Sequence, residues 1–155
     1  MTEAALQTRP RKPSASKRHQ ARRFAVQALY SHLLAGTALN DLLVNSRVEE
    51  SFARCDQNYF DQLVCGVLGD RMQLEQSFTE YLDRPLAQLD PVEHAVLLLA
   101  AYELAHCPEL PYRVAINEAV ELTKLFGATE GHKYINGVVD RMARKQRPAE
   151  IGGRV

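Results

Sequence analysis

Residues 111–144, PYRVAINEAVELTKLFGATEGHKYINGVVDRMAR, decide the fold. Ile116, Ala119, Val120, Thr123 and Phe126 recur at three- and four-residue intervals, the period of one inward helical face. Asn117, Glu121 and Lys124 fall together on the opposite side. Beyond Gly127 the same spacing returns in Ile135, Val138, Val139 and Met142, with His132, Lys133, Asn136 and Asp140 kept polar. Two amphipathic helices meeting at a Gly-containing turn are therefore expected. Gly127 is expected to take a left-handed conformation that ends the first helix, and Thr129 to cap the second.

Upstream, Asp90-Pro91-Val92-Glu93 is an unusually complete helix start. Asp90 is the N-cap, Pro91 sits at N1 where its missing N–H is no loss, and Glu93 at N3 can reach back. The helix it opens, Pro91 to His106, is apolar on most sides through Ala95–Ala101 and should be the central, most buried element. Cys107–Pro111 breaks it before the diagnostic pair.

Toward the N-terminus, a helix is expected from Ser16 or Lys17 to Leu34, stopped by Gly36, with Ala25, Leu29 and Leu33 inward and Val26 and Tyr30 flanking. A shorter helix capped by Asn40 should run to about Arg47, followed by another turn or two. One long helix is expected from Asp56 to Leu82, with Gly66 and Gly69 near its middle marking close packing or a bend. Arg84–Leu89 reads as a connector. No segment alternates with period two and none carries a hairpin turn signal, so the fold class is all-α.

The formal net charge of zero hides a segregation. Residues 1–23 carry Arg9, Arg11, Lys12, Lys17, Arg18, Arg22 and Arg23 against Glu3 alone; the stretch 24–140 is strongly acidic, and residues 141–155 are basic again. An acidic body repels a polyanion unless cations are presented locally, and a clustered basic terminus is the footprint of phosphate contacts. Arg18 and Arg22, four residues apart, share a face of the first helix. Residues 1–15, with Pro10, Pro13 and Ser14, are expected to be a disordered leader.

Other function classes receive little support. The longest apolar run, Ala95–Tyr102, falls far short of the ~20 residues a spanning helix needs. The N-terminus lacks the apolar core of a secretory signal. Cys55, Cys65 and Cys107 have neither CxxC nor metal-ligand spacing, so reduced thiols are expected, with Cys65 buried. The chain thus reads as cytoplasmic. Histidines 19, 32, 94, 106 and 132 are scattered, and His94 reads as a satisfied core histidine. No glycine loop suited to a nucleotide occurs, and Glu118, Glu121 and Glu130 read as solvated acids. No catalytic residue, cofactor or metal is expected.

Together with RRFAVQALY at 22–30, the 111–144 stretch resembles the NusB family of transcription antitermination factors. The resemblance implies two packed helical bundles, about seven helices in one compact unit: an N-terminal bundle over about 16–82 and a C-terminal one over about 83–146, within a helical domain of residues 16–155. It implies an RNA-binding adaptor that is not an enzyme. Its partner would be NusE, a small-subunit ribosomal protein, and its ligand boxA-type single-stranded RNA, in an antitermination complex with RNA polymerase on ribosomal RNA operons. Two alternatives stand beside it: a homodimeric helical interaction module, and a stand-alone domain assisting an RNA-modifying enzyme.

For RNA, Lys17, Arg18 and Arg22 offer cations to phosphates, and Tyr134 offers a ring for stacking. Periodicity alone would pack Tyr134 against Phe126 at the core's rim. The resemblance instead puts the basic N-terminal segment and the start of the last helix on the RNA face, which adds Glu130 and keeps Tyr134 there. It further matches Tyr30 and Glu93 to positions facing NusE, although a capping role alone also explains Glu93. His19 and Gln20 interrupt the basic run KRHQARR, with Arg9, Arg11 and Lys12 in the leader as compensation.

Overall fold

The computed structural model describes residues 14–127 and 130–152, so the leader cations Arg9, Arg11 and Lys12, and Thr129, lie outside the described residues. The described residues form eight α-helices and two short 3-10 turns, with no strand. The helices are α1 Ala15–Ala35, α2 Leu39–Ser46, α3 Gln57–Gly69, α4 Arg71–Thr79, α5 Pro91–His106, α6 Tyr112–Phe126, α7 Gly131–Gln146 and α8 Pro148–Gly152. The 3-10 turns are Glu50–Arg54 and Leu86–Gln88.

Their ends follow local chemistry. Ser14 caps α1, its Oγ accepting the Lys17 N–H at 3.3 Å. Gly36 stops the helix in the left-handed region (φ 68°) and donates its N–H to the His32 carbonyl, a conformation that favours glycine. Asp56 caps α3 through its Oδ1 and the Tyr59 N–H. Asp90 caps α5 as expected, accepting from the Val92 and Glu93 N–H groups at 2.8 and 3.4 Å. The reciprocal bond from the Glu93 side chain is not formed, so the cap works in one direction.

The central position of α5 holds. Every residue from His94 to Leu104 is buried, and the helix packs against α1, α3, α4, α6 and α7. Around it lies one contiguous apolar core shared by the N-terminal helices α1–α4 and the C-terminal helices α6 and α7. Ile135, Val138, Val139 and Met142 are all buried on α7. On α6 the buried face is Tyr112, Ala115, Ile116, Ala119, Leu122 and Thr123, while Val120 and Phe126 lie half-buried at its margin.

Four sequence expectations need correction. The stretch 56–82 is two helices, broken at Asp70 (φ −130°, ψ 22°), whose carboxylate meets His106 Nε2 at 3.0 Å. The break lets Val67 and Leu74 both reach the core on successive short helices. Gly66, by contrast, marks close packing: a Cβ there would run into the Tyr102 ring. Gly127 is extended rather than left-handed (φ −107°, ψ −173°), and what demands glycine is the Thr123 carbonyl, 2.8 Å from where a Cβ would sit. The short α2 starts at Leu39 after Ala38, so Asn40 lies inside it rather than capping it. Cys65 is exposed, on the side of α3 facing away from the core, while Cys55 and Cys107 are buried.

The C-terminal turn closes the far end of α5. Arg147 donates through its guanidinium to the carbonyls of Glu103, Leu104, Cys107 and Leu110 and to Glu150 Oε1. The last carbonyls of a helix lack intrahelical partners and carry partial negative charge, so one buried guanidinium both fills and neutralises that end. Glu150 in turn accepts the Tyr112 N–H at the start of α6, at 2.9 Å. No described helix is long and apolar enough to cross a membrane.

Candidate functional site

The sequence-selected groups divide into three places. At the first turns of α1, Lys17 is exposed, and its carbonyl accepts the Asp56 N–H at 3.1 Å. Arg18 is half-buried. Its guanidinium lies 4.1 Å from the Tyr59 ring centroid and 3.8 Å from Asp56 Oδ2. Lys17 stands at the surface, whereas the Arg18 side chain is 22% exposed with its Nε buried.

Arg22 does not join them. Its side chain is 3% exposed, with Nε donating to Glu103 Oε2 at 2.7 Å and Nη1 to Glu118 Oε1 at 2.6 Å. Tyr59 donates its hydroxyl to the same Glu103 oxygen, and His19 Nδ1 meets Glu118 Oε2 at 2.9 Å. A phosphate contact expected of Arg22 is therefore unavailable to it. The reason is that the helix turns its side chain inward, beside Ala21 and Ala25, onto the acid of α5. Glu118 is corrected with it: it is an ion-pair partner, not a solvated acid. Burial alone would disfavour the Arg22 cation, but Glu103, Tyr59 and Glu118 outweigh it and raise its pKa. Burial pushes the Glu103 carboxyl up, and Arg22 and Tyr59 pull it back toward the charged form.

The second place is the start of α7. Glu130 is exposed and pairs loosely with Lys133 at 3.6 Å. Tyr134, one turn on, is half-buried and packs on the edge of the core. Its hydroxyl accepts the Asp83 N–H at 3.1 Å, and the Arg84 guanidinium lies over its ring, 4.8 Å from the centroid. Burial raises the Tyr134 pKa, so the hydroxyl stays protonated at neutral pH. The residue is neither a core aromatic nor a free ring. Beside it a cleft of about 380 Å³ is lined by Tyr81, Asp83, Lys133, Tyr134 and Arg141.

The third place joins α1 to the start of α5. Tyr30, 38% exposed, lines a groove of about 330 Å³ with Val26, Gln27, Val92 and Phe126. Glu93 follows Val92 and is half-buried; its Oε2 is 3.4 Å from where a Cβ on Gly131 would stand. Burial, reinforced by Asp90, raises its pKa, while Arg84 acts the other way. Glu93 thus touches the first turn of α7, next to Glu130.

Glu121 is exposed and 3.7 Å from Lys124. His94 is the expected core histidine, its Nε2 2.6 Å from Glu75 Oε2. Among the described residues, no group of three or more His, Cys, Asp or Glu side chains could hold a metal ion. Sequence reasoning passed over Glu103, Arg84 and Arg147. Glu103 carried a signal, since an acid in a helix apolar on every side must find a buried partner. Arg84 carried none.

The exposed cations, the half-buried ring and the carboxylates on the outside of an all-helical body are groups suited to binding a partner. The NusB family profile matches residues 19–144. Transcription antitermination protein NusB of Ralstonia pickettii (strain 12J) is 44% identical over 154 residues, covering 99% of each chain. That of Nitrosospira multiformis is 48% identical over 134 residues, covering 86% of this chain and 85% of the relative. In structure, T. maritima NusB superposes with a TM-score of 0.75 at 25% identity, covering 87% of this chain and 96% of that one. NusB solved with NusE and double-stranded RNA shares the fold, with a TM-score of 0.74 at 20% identity over 85% of this chain and 99% of that one. The chain belongs to the NusB family.

Proposed function

We infer that this chain is a transcription antitermination factor, an RNA-binding adaptor that pairs with NusE on boxA-type single-stranded RNA and supports processive transcription of ribosomal RNA operons. It acts in the cytoplasm and catalyses no reaction. The observation that carries this reading is identity of 44% over 99% of both chains with a curated antitermination protein NusB. The solved complex of NusB with NusE and double-stranded RNA supports NusE and an RNA as partners. Lys17 and Arg18 meet phosphates, with the leader's Arg9, Arg11 and Lys12 extending the basic path. Glu130 meets a base or ribose from the start of α7, and Tyr134 forms the base of the surface that receives it. Tyr30 and Glu93 meet NusE across the groove between α1 and α5. Arg22 supports the RNA face from beneath, through Glu118, instead of touching it.

The test is a titration of single-stranded boxA-type RNA, a scrambled strand and a duplex, each with and without NusE, at several salt concentrations. Single-stranded boxA should bind best and bind tighter with NusE present. Each phosphate contact contributes about −0.7 to the log–log salt slope. Replacing Lys17 and Arg18 with glutamine should therefore flatten the slope by about 1.4. Equal affinity for boxA and scrambled strands, with or without NusE, would overturn the reading.

A further inference from the structure

Tyr134 has one ring face against the protein, and the Arg84 guanidinium covers the ring. Two further contacts fix that guanidinium. Arg84 Nε and Nη2 grip Asp83 Oδ1 and Oδ2 at 2.6 and 3.1 Å, a two-toothed fork along one edge of the plane. The Asp83 N–H meanwhile bonds the Tyr134 hydroxyl, so ring, carboxylate and guanidinium form one closed unit. An Arg–carboxylate fork sets the orientation of the guanidinium plane, which a single hydrogen bond would not. Although it is gripped in this way, the Arg84 side chain is 39% exposed.

This geometry alters what a nucleic acid would meet. A base approaching this place meets the exposed Arg84 guanidinium that lies over the tyrosine ring before it meets the ring itself. Bases stack on guanidinium planes as they do on aromatic rings. We propose that Arg84 is an RNA-binding residue whose guanidinium plane, backed by Tyr134 and aimed by Asp83, is the outer layer on which an unpaired base stacks. The proposal rests on the functional reading above and adds to it the residue that makes the contact. Lys133 and Arg141, on the neighbouring cleft, lie where the flanking phosphates would run. Because the fork with Asp83 already neutralises Arg84, the contribution is stacking more than charge.

That last point makes the proposal testable. Affinity for single-stranded boxA-type RNA, with NusE present, would be measured across a salt series for the parent, Arg84→Lys, Arg84→Ala, Tyr134→Ala and the Arg84→Ala/Tyr134→Ala double variant. Thermal melts would establish that each is folded; Arg84 is exposed, and its variants should melt near the parent. Arg84→Lys keeps the charge and loses the plane, so it should bind about fivefold or more weakly, with an unchanged salt slope. Arg84→Ala should lose a similar factor. The double variant should be little worse than the weaker single, since one layer rests on the other. Parent-like binding by Arg84→Lys would reduce Arg84 to a point charge and overturn the proposal. Tighter binding by Arg84→Ala would also overturn it, making Arg84 a cover that RNA must displace. If the parent itself fails to prefer boxA-type RNA, the functional reading falls first; if the parent prefers it and the Arg84 variants match the parent, only this inference falls.

Discussion

Arg22 on α1 and Glu103 on α5 form an ion pair of 2.7 Å with side chains only 3% and 2% exposed. The first bundle is thereby fastened to the central helix by charge in the middle of an apolar interface. Breaking such a pair from one side strands the other charge, whereas replacing both leaves nothing to solvate.

Glu103→Ala should therefore destabilise the fold by about 3–5 kcal/mol, read by urea denaturation. Arg22→Met combined with Glu103→Leu should lose much less than the two single changes added together. A double variant as unstable as that sum would show no coupling between the two groups, and the pair would then not be what fastens the two helices.

His94 predicts a pH dependence. Burial lowers its pKa below the ordinary 6.5, and the Glu75 carboxylate offsets this only in part, with Arg71 adding to the lowering. The folded chain thus prefers the neutral ring. Above about pH 6.5 both states are neutral and the group is silent. Below it the unfolded chain takes up the proton first, so stability falls as pH drops toward the folded value. Urea midpoints at pH 7.5 and 5.5 should differ less in His94→Gln than in the parent.

Arg147 serves four backbone carbonyls at once. Arg147→Ala should cost about 2–4 kcal/mol, because several of those acceptors lose their donors together. Arg147→Lys should recover less than half of that, since an ammonium has no fork to spread over them. Full recovery in the lysine variant would leave the helix dipole as the sole basis of the effect.

Glu93→Gln separates folding from partner binding. Since burial raises the pKa of this carboxyl, its contribution to stability is present below the ordinary carboxylate range and is lost as pH rises through the folded value. At pH 7 the glutamine variant should then be as stable as the parent or slightly more so. Its affinity for NusE should fall by ~1 kcal/mol or more if the carboxylate meets a basic group there. Calorimetric titration beside a melt reads both.

The elements with a strong apolar period were legible: α5 runs from its Asp90-Pro91 start to His106 as expected, and α6 and α7 carry the apolar stripes that their spacing predicts. The single long helix over 56–82 failed because periodicity continues across Asp70 even though the backbone does not. Gly127 failed for a different reason; its need for glycine comes from a carbonyl packed against it, which no local rule encodes. Within the site, exposure was readable for Lys17 and Glu130, whose helix faces are polar. Arg22 was misread because the face it does share with Arg18, over the Tyr59 ring, runs inward one turn further on, where a buried acid on a distant helix takes the guanidinium. The Tyr134–Arg84 contact spans 50 residues of sequence and two elements, so only the fold could reveal it.

The reach of Arg147 has a consequence for synthesis. The carbonyls it serves lie 37 to 44 residues earlier in the chain. A ribosome adding about 5–20 residues per second needs roughly 2–9 seconds to cover that distance. Throughout that interval the end of the central helix lacks its guanidinium clasp, and only the local bonds from the Cys107 N–H to the Glu103 carbonyl and from the Leu110 N–H to the Cys107 carbonyl can form there. The nascent protein therefore has a built-in vulnerable period, closed only when a single late arginine arrives, and a ribosome that pauses just before codon 147 would prolong it.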